Sequence, residues 1–233
     1  MKAVISGGTK GIGRAIAEIL AAEGYDIAVC ARNAADLEAL RLDFAKKYPK
    51  MTILTQVTDV RDKKQVLEFA AKITNCWSKL DVLVNNAGIF TSGNIHQEAD
   101  GVFEQLMETN LYSAYYLTRA LIPLMLNHKR GHIFNICSVA SLMAYPSGGS
   151  YSISKFALLG FSKALREELK QKGVKVTAIL PGATWTDSWA GISLPEVRLM
   201  QAKDVAIALL AATKMSPSAV MEEIVMRPQL GDL

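Results

Sequence analysis

The sequence predicts a single doubly wound α/β sandwich spanning 1–233, a mostly parallel sheet of about seven strands with helices on both faces. Three observations carry that expectation. Short β-branched runs alternate with stretches of helical period along the chain. The strand-like runs are apolar on both faces, which parallel strands covered by helices require. No linker, internal repeat or low-complexity tract divides the 233 residues. A chain of that length buries a substantial core without disulfide or metal staples.

The strand-like runs are, in order, Lys2 to Ser6, Asp26 to Cys30, Thr52 to Val57, Asp81 to Val84, His132 to Cys137, Lys175 to Leu180 and Glu223 to Met226. Helical periods fill the gaps. Ile12, Ile16, Ile19 and Leu20 recur at three and four residues, as do Leu158, Phe161, Leu165 and Leu169, so each helix has one face to bury. The helix following Asn110, with Leu111, Tyr115, Leu117 and Leu121, and the one starting at Tyr151 carry more apolar surface than one sheet face covers. Such excess marks a contact between subunits and predicts a homodimer or homotetramer.

Composition excludes several function classes. Half the residues are hydrophobic and 21% are charged, the balance of an ordinary globular protein. The net charge is only +4, and basic residues occur in short clusters such as Lys46, Lys47 and Lys50, which predicts a solvated surface and no nucleic-acid partner. Cys30 and Cys137 lie in apolar runs and Cys76 ends a helical pattern. An odd number of thiols without ligand spacing predicts reduced core cysteines and no metal. Met1 and Lys2 lead directly into Ala3-Val4-Ile5, leaving no room for the apolar region of a signal peptide. The longest apolar run, Val205 to Ala212, is too short to span a bilayer, so the expected location is the cytoplasm, with no membrane partner.

Between the first strand and first helix lies Ser6-Gly7-Gly8-Thr9-Lys10-Gly11-Ile12-Gly13. Glycines there let the backbone approach a pyrophosphate, and a helix starting near Gly11 aims free N–H groups and its positive end at the phosphates. By themselves such glycines also suit a plain turn. The second strand ends at Cys30-Ala31-Arg32, without the acid that holds the ribose hydroxyls of NAD. Arg32 and Lys10 are instead two cations that would converge on a 2′-phosphate, favouring NADPH over NADH; the plainer alternative is two surface cations.

Tyr151 and Lys155 stand four apart at the head of a helix, after Pro146-Ser147-Gly148-Gly149, so they share a face. A neighbouring ammonium and an oxidised nicotinamide favour the phenolate, predicting a tyrosine that exchanges a proton at neutral pH. Ser138 ends the fifth strand at the carboxyl edge of the sheet, placed to hydrogen-bond a substrate oxygen. Asn110 reads equally as a helix cap.

The spacing GxxxGxG, the Ser138 and Tyr151-x-x-x-Lys155 pair, Asn85-Asn86-Ala87-Gly88, Asp59-Val60 and Pro181-Gly182-Ala183-Thr184-Trp185-Thr186 together resemble the short-chain dehydrogenase/reductase family. The resemblance covers Ser6 to Thr186 and implies a Rossmann fold and NADP(H)-dependent carbonyl reduction. It implies that Asn110 completes a tetrad by holding a water that connects Lys155 to solvent. Gly7, Thr9, Lys10, Gly11, Ile12 and Gly13 would hold the phosphates, and Asp59 and Val60 the adenine. Asn85 would steady the sheet, with Asn86, Ala87 and Gly88 near the adenosine ribose. Pro181, Gly182, Thr184 and Thr186 would hold the nicotinamide carboxamide.

A short lid is expected at about 186–203, over a small carbonyl substrate. Trp185 and Trp189 there either stack on a flat ring or pack the lid, and Met143 and Tyr145 form the other wall. Residues 181–189 and the ending from Met221 to Leu233 resemble a bacterial sepiapterin-reductase-like subgroup, which implies a pterin side-chain ketone. A β-ketoacyl carrier-protein reductase is the enzymatic alternative. A non-catalytic NADPH-binding protein is the other, although all four reacting residues are present.

Overall fold

The computed structural model of the protein describes residues 1–186 and 195–232. Its main sheet has seven strands, β1 (Lys2–Ser6), β2 (Asp26–Ala31), β3 (Ile53–Val57), β4 (Val82–Asn85), β5 (Gly131–Ile136), β6 (Val174–Pro181) and β9 (Glu223–Met226), in the order β3-β2-β1-β4-β5-β6-β9. Every pairing is parallel. The order reverses between β1 and β4, so a crevice opens at their carboxyl ends, where ligands of such folds bind. Two further strands, β7 (Thr184–Trp185) just before the expected lid and β8 (Met200–Gln201) near its end, form a separate parallel pair. The pattern of apolar periods gave no sign of that pair, because two-residue strands carry no period.

Alternate residues of the central strands feed opposite layers. Ala3, Ile5, Ile27, Val29, Val82, Val84 and Phe134 pack under α1 (Gly11–Ala22), α2 (Ala34–Lys47) and α7 (Ala202–Thr213). Val4, Ala28, Cys30, Leu83 and Ile133 pack under α3 (Lys63–Cys76), α5 (Ser113–Leu126) and α6 (Gly149–Leu169). Leu117 and Leu121 belong to this second core, so they do not form the surplus apolar face expected of that helix. Tyr115 is exposed as expected, joined by Tyr112 just before α5 and by Ile153 and Phe156 on α6. Cys30 and Cys137 are buried as expected, but Cys76 is exposed, because it is the last residue of α3 and the helix ends before turning it inward.

The way helices begin separates structural from functional ends. Asn33 caps α2 through Ala35 N at 2.8 Å and Asp36 N at 3.1 Å, and Asp62 caps α3 through Lys64 N at 2.8 Å. No side chain of the preceding residue caps α1 or α6, the two helices that start at the crevice. α4 (Val102–Met107) continues through a π-helical stretch, Glu108–Tyr112, into α5. Such stretches distort the ladder by one residue and frequently fall at functional sites; this one contains Asn110.

A buried polar ladder ties these layers at the site. Asn85 Nδ2 donates to Thr118 Oγ1 at 2.9 Å and to Asn135 Oδ1 at 2.7 Å, and Asn135 Nδ2 donates to Ser162 Oγ at 2.7 Å. Asn85 therefore joins α5, β4, β5 and α6, the sheet-steadying part expected of it. Buried amides left unpaired would be costly, so the ladder fixes the register of helices against strands.

Candidate active site

The glycine turn is shaped for a close approach. Gly7 and Gly11 adopt left-handed φ angles of +67° and +53°. A Cβ on Gly13 would lie 2.3 Å from the Gly7 carbonyl oxygen and 2.4 Å from Asn86 Nδ2, so only glycine fits there. Asn86 Nδ2 donates to Ser6 O at 3.0 Å and Gly7 O at 2.9 Å, while Ser6 Oγ accepts from Asn86 N and Ala87 N, each at 3.0 Å. The turns after β1 and β4 are thereby locked together. The Asn86 side chain, expected near a ribose, also holds the glycine turn. The first turn of α1 has no acidic residue and no side-chain cap, so its N–H groups suit an anion. Thr9 and Ile12 flank it half-buried, with Ile12 against the core. These features fit a dinucleotide pyrophosphate.

At the end of β2, Ala31 pairs in register with Val57, and exposed Arg32 follows. The Lys10 ammonium lies 3.3 Å from Asp36 in the first turn of α2. Asp59 is held by Arg61 at 2.6 Å, which keeps its carboxyl below the usual range, with the Arg32 charge adding to the effect. Val60 packs half-buried against the core under α3. Lys10 and Arg61 are engaged with carboxylates, and Arg32 acts on Asp59 through its charge.

Four side chains converge at the carboxyl ends of β4 and β5. The Ser138 hydroxyl acts on the Tyr151 phenol, favouring its charged form, and accepts from Ala140 N at 3.1 Å. Lys155 is buried, its Nζ donating to Ile136 O at 3.0 Å and lying 5.8 Å from the Tyr151 ring centroid. Asn110 is not a helix cap, since helical backbone runs through it. Its Nδ2 donates to Ile89 O at 3.0 Å and Ser154 Oγ at 2.9 Å, and its Oδ1 accepts from Ile89 N at 2.8 Å. Gly88 sits between Asn110 and Lys155: a Cβ there would lie 3.3 Å from Asn110 Oδ1 and 3.5 Å from Lys155 Nζ.

The fold adds an influence opposed to the phenolate expected from Lys155 together with an oxidised nicotinamide. Burial is the largest influence on both groups, pushing the Tyr151 phenol up against a smaller pull from the Ser138 hydroxyl, and pushing the Lys155 ammonium down. Desolvation disfavours whichever form is charged. Burial therefore favours the protonated form of Tyr151.

On the nicotinamide side, Thr186 lies against the phosphate turn, with its Cγ2 3.1 Å from where a Gly11 Cβ would be. Thr184 is buried and donates to Gly182 O at 3.0 Å, and Gly182 N donates to Met226 O at 2.8 Å, anchoring the segment after Pro181 to β9. Trp185, Met143 and Tyr145 are partly exposed around the crevice. Burial pushes the Tyr145 phenol up to about 12, with neighbouring Tyr151 adding to the shift. Met143 Sδ lies 4.0 Å from Arg227 Nη2. Trp189, Asp187 and Ser188 lie outside the described residues. Sequence reasoning missed Ser6, Phe90, Glu98 and Ser154, because each acts through a partner distant in the chain.

Comparison with known proteins agrees with this geometry. Residues 1–196 match the family model for short chain dehydrogenase. The chain is 32% identical over 238 residues to a sepiapterin reductase from Chlorobaculum tepidum, covering 99% of this chain and 97% of that protein. It is 34% identical over 217 residues to a 3-oxoacyl-acyl-carrier-protein reductase from Haemophilus influenzae, covering 89% and 88%. A metagenomic short-chain oxidoreductase solved in complex with NADP superposes with a TM-score of 0.84 at 28% identity, covering 98% of this chain and 97% of that one. An alcohol dehydrogenase from Thermococcus sibiricus has the same fold, with a TM-score of 0.91 at 24% identity, covering 100% and 98%. With the glycine turn, the NNAG turn and the Ser-Tyr-Lys cluster in their places on that fold, the chain belongs to the short-chain dehydrogenase/reductase family of oxidoreductases.

Proposed function

We propose that the protein uses NADPH to reduce the carbonyl group of a small substrate, with Tyr151 protonating the oxygen. The carrying observation is the placement of Lys155 Nζ, held by Ile136 O at 3.0 Å, 5.8 Å from the ring centroid of a buried Tyr151 on which the Ser138 hydroxyl acts. Bound NADPH supplies the hydride. Ser138 and Tyr151 orient the substrate oxygen, and Asn110, across Gly88 from Lys155, holds a water through which Lys155 is reprotonated. The first turn of α1 with Gly7, Thr9, Gly11, Ile12 and Gly13 holds the pyrophosphate. Arg32 and Lys10 take the 2′-phosphate, and Asp59, Val60, Asn86, Ala87 and Gly88 line the adenosine side. Pro181, Gly182, Thr184 and Thr186 hold the nicotinamide, while Met143, Tyr145, Trp185 and Trp189 border the substrate.

The full-length similarity to a sepiapterin reductase supports a pterin side-chain ketone as substrate. Similarity to a carrier-protein reductase supports a β-ketoacyl thioester as the second reading. Turnover of sepiapterin, simple diketones and acetoacetyl thioesters with NADPH and NADH separates them. The expected result is sepiapterin or diketone reduction with at least about a tenfold preference for NADPH, the factor given by ~1.4 kcal/mol of phosphate contact. A preference for thioesters would establish the second reading, and a preference for NADH would remove the phosphate role of Arg32 and Lys10. Tight NADPH binding without turnover of any carbonyl would leave a non-catalytic nucleotide-binding protein.

The exposed Tyr112, Tyr115, Ile153 and Phe156 support a homodimer or homotetramer built on α5 and α6. Light scattering is expected to give a mass of at least twice that of the chain; a monomer at assay concentration contradicts it.

A further inference from the structure

The helix carrying Tyr151 begins without an acceptor of its own. Its N-cap is Gly148, and its first turn holds no acidic residue. The acceptor comes instead from the loop after β4. Glu98 Oε1 accepts Ser150 N at 2.9 Å, and Glu98 Oε2 accepts the Ser150 hydroxyl in a short hydrogen bond. Glycines clear the space on both sides. A Cβ on Gly149 would lie 2.1 Å from Glu98 Oε1 and 2.4 Å from Gly93 O, and one on Gly93 would lie 2.9 Å from Glu98 Cγ. The same two segments are stitched by Gly93 N donating to Ser147 O at 3.0 Å and by Ser92 Oγ donating to the same oxygen at 3.3 Å.

The loop also touches the reacting ring. Phe90 meets Tyr151 edge-on with ring centroids 4.9 Å apart. Its neighbour Ile89 is gripped at both backbone N and O by Asn110. The loop from Ile89 to Glu98 is thus fixed at one end by Asn110, presses the Tyr151 ring in between, and at its other end grips the residue preceding Tyr151. A carboxylate at a helix N-terminus satisfies orphan N–H groups and complements the helix dipole. Anchoring it two residues into α6 also fixes the angle at which the helix presents its phenol.

We propose that Glu98 is a positioning residue for Tyr151, capping the catalytic helix from the loop after β4 and holding the phenol in register with Ser138. This rests on Tyr151 being the proton donor. Errors of about 1 Å in the placement of a reacting group cost about a hundredfold in rate, so the loss of this cap is read in kcat and leaves cofactor affinity alone.

The test compares Glu98→Ala, Glu98→Gln and Tyr151→Phe for kcat, for NADPH Kd by fluorescence and for hydrogen exchange in a peptide covering 149–156. Glutamine keeps an oxygen for Ser150 N and offers its amide to the Ser150 oxygen. Expected are a kcat lowered about a hundredfold in Glu98→Ala, an unchanged Kd, faster exchange over 149–156, and recovery of most activity in Glu98→Gln. Unaltered kcat and exchange in Glu98→Ala overturn the proposal, as does equal impairment of the alanine and glutamine variants. Should Glu98→Ala fail to fold, Ser150→Ala removes the hydroxyl half of the contact, and an unchanged kcat there overturns the proposal. An active Tyr151→Phe defeats the proton-donor reading and this inference together. An inactive Tyr151→Phe beside an unimpaired Glu98→Ala defeats the positioning role alone.

Discussion

Replacing Tyr151 with phenylalanine is expected to lower turnover by about three orders of magnitude, within the range that a positioned general acid contributes. The ring would remain in edge contact with Phe90, so packing at the site survives the change. What disappears is the phenolic oxygen that burial holds in its protonated form. NADPH affinity is expected to stay within a few-fold, because the phosphate cradle is built from Gly7, Gly11, Gly13 and Asn86 at the other end of the crevice. Single-turnover oxidation of NADPH, monitored with the best substrate, checks both parts. Turnover equal to that of the unsubstituted protein would exclude the phenol from the chemistry.

The second large effect concerns stability in acid. His132 on β5 is buried, stacks on Phe134 with centroids 3.9 Å apart and pairs its Nε2 with Thr177 Oγ1 at 2.7 Å. Thr177 Oγ1 donates to Met221 O at 2.6 Å, so it accepts from His132 and the imidazole is the Nε2-protonated neutral form. Burial, with the Lys175 charge adding, pushes the imidazole down to about 3 from the ordinary 6.5. The unfolded chain therefore takes up a proton at a pH where the folded one does not. Stability from this group is complete above about 6.5 and is lost as pH falls toward 3, at roughly 1.4 kcal/mol per pH unit. The affected carboxylates Asp59, Asp62, Glu38 and Glu167 are all lowered from starting values of 3.8 or 4.5, so they act mainly below the upper part of this window. Urea unfolding between pH 7 and pH 5 should show the protein losing about 2 kcal/mol more than His132→Gln. Equal losses in the two proteins would show that His132 does not govern acid sensitivity.

Much of the architecture is legible in the chain because it is encoded locally. The strand runs expected at Asp26 to Cys30, Asp81 to Val84 and Lys175 to Leu180 fall within one residue of the observed Asp26–Ala31, Val82–Asn85 and Val174–Pro181. Burial on both faces favours apolar residues along a strand, and the polar exceptions Asn135, His132 and Thr177 are each hydrogen-bonded, so the apolar runs end close to where the strands do. The glycine turn is legible for a similar reason: φ angles near +60° and a 2.3 Å backbone clash at Gly13 restrict those positions to one residue type. Surface apolar residues are harder to assign. Leu117 and Tyr115 share one helix and one general character, yet the first is core and the second exposed.

The sequence by itself determined the doubly wound fold and the glycine turn, and short-range spacing singled out Ser138, Tyr151 and Lys155 as candidates, while Asn110 entered through the family resemblance. Only the tertiary structure decided how these groups behave. Burial is the largest influence on Tyr151 and on Lys155, Lys10 lies beside Asp36, and Glu98 reaches 52 residues along the chain to hold Ser150. Burial and long-range contact are properties of segments brought together, and no local pattern in either segment records the meeting.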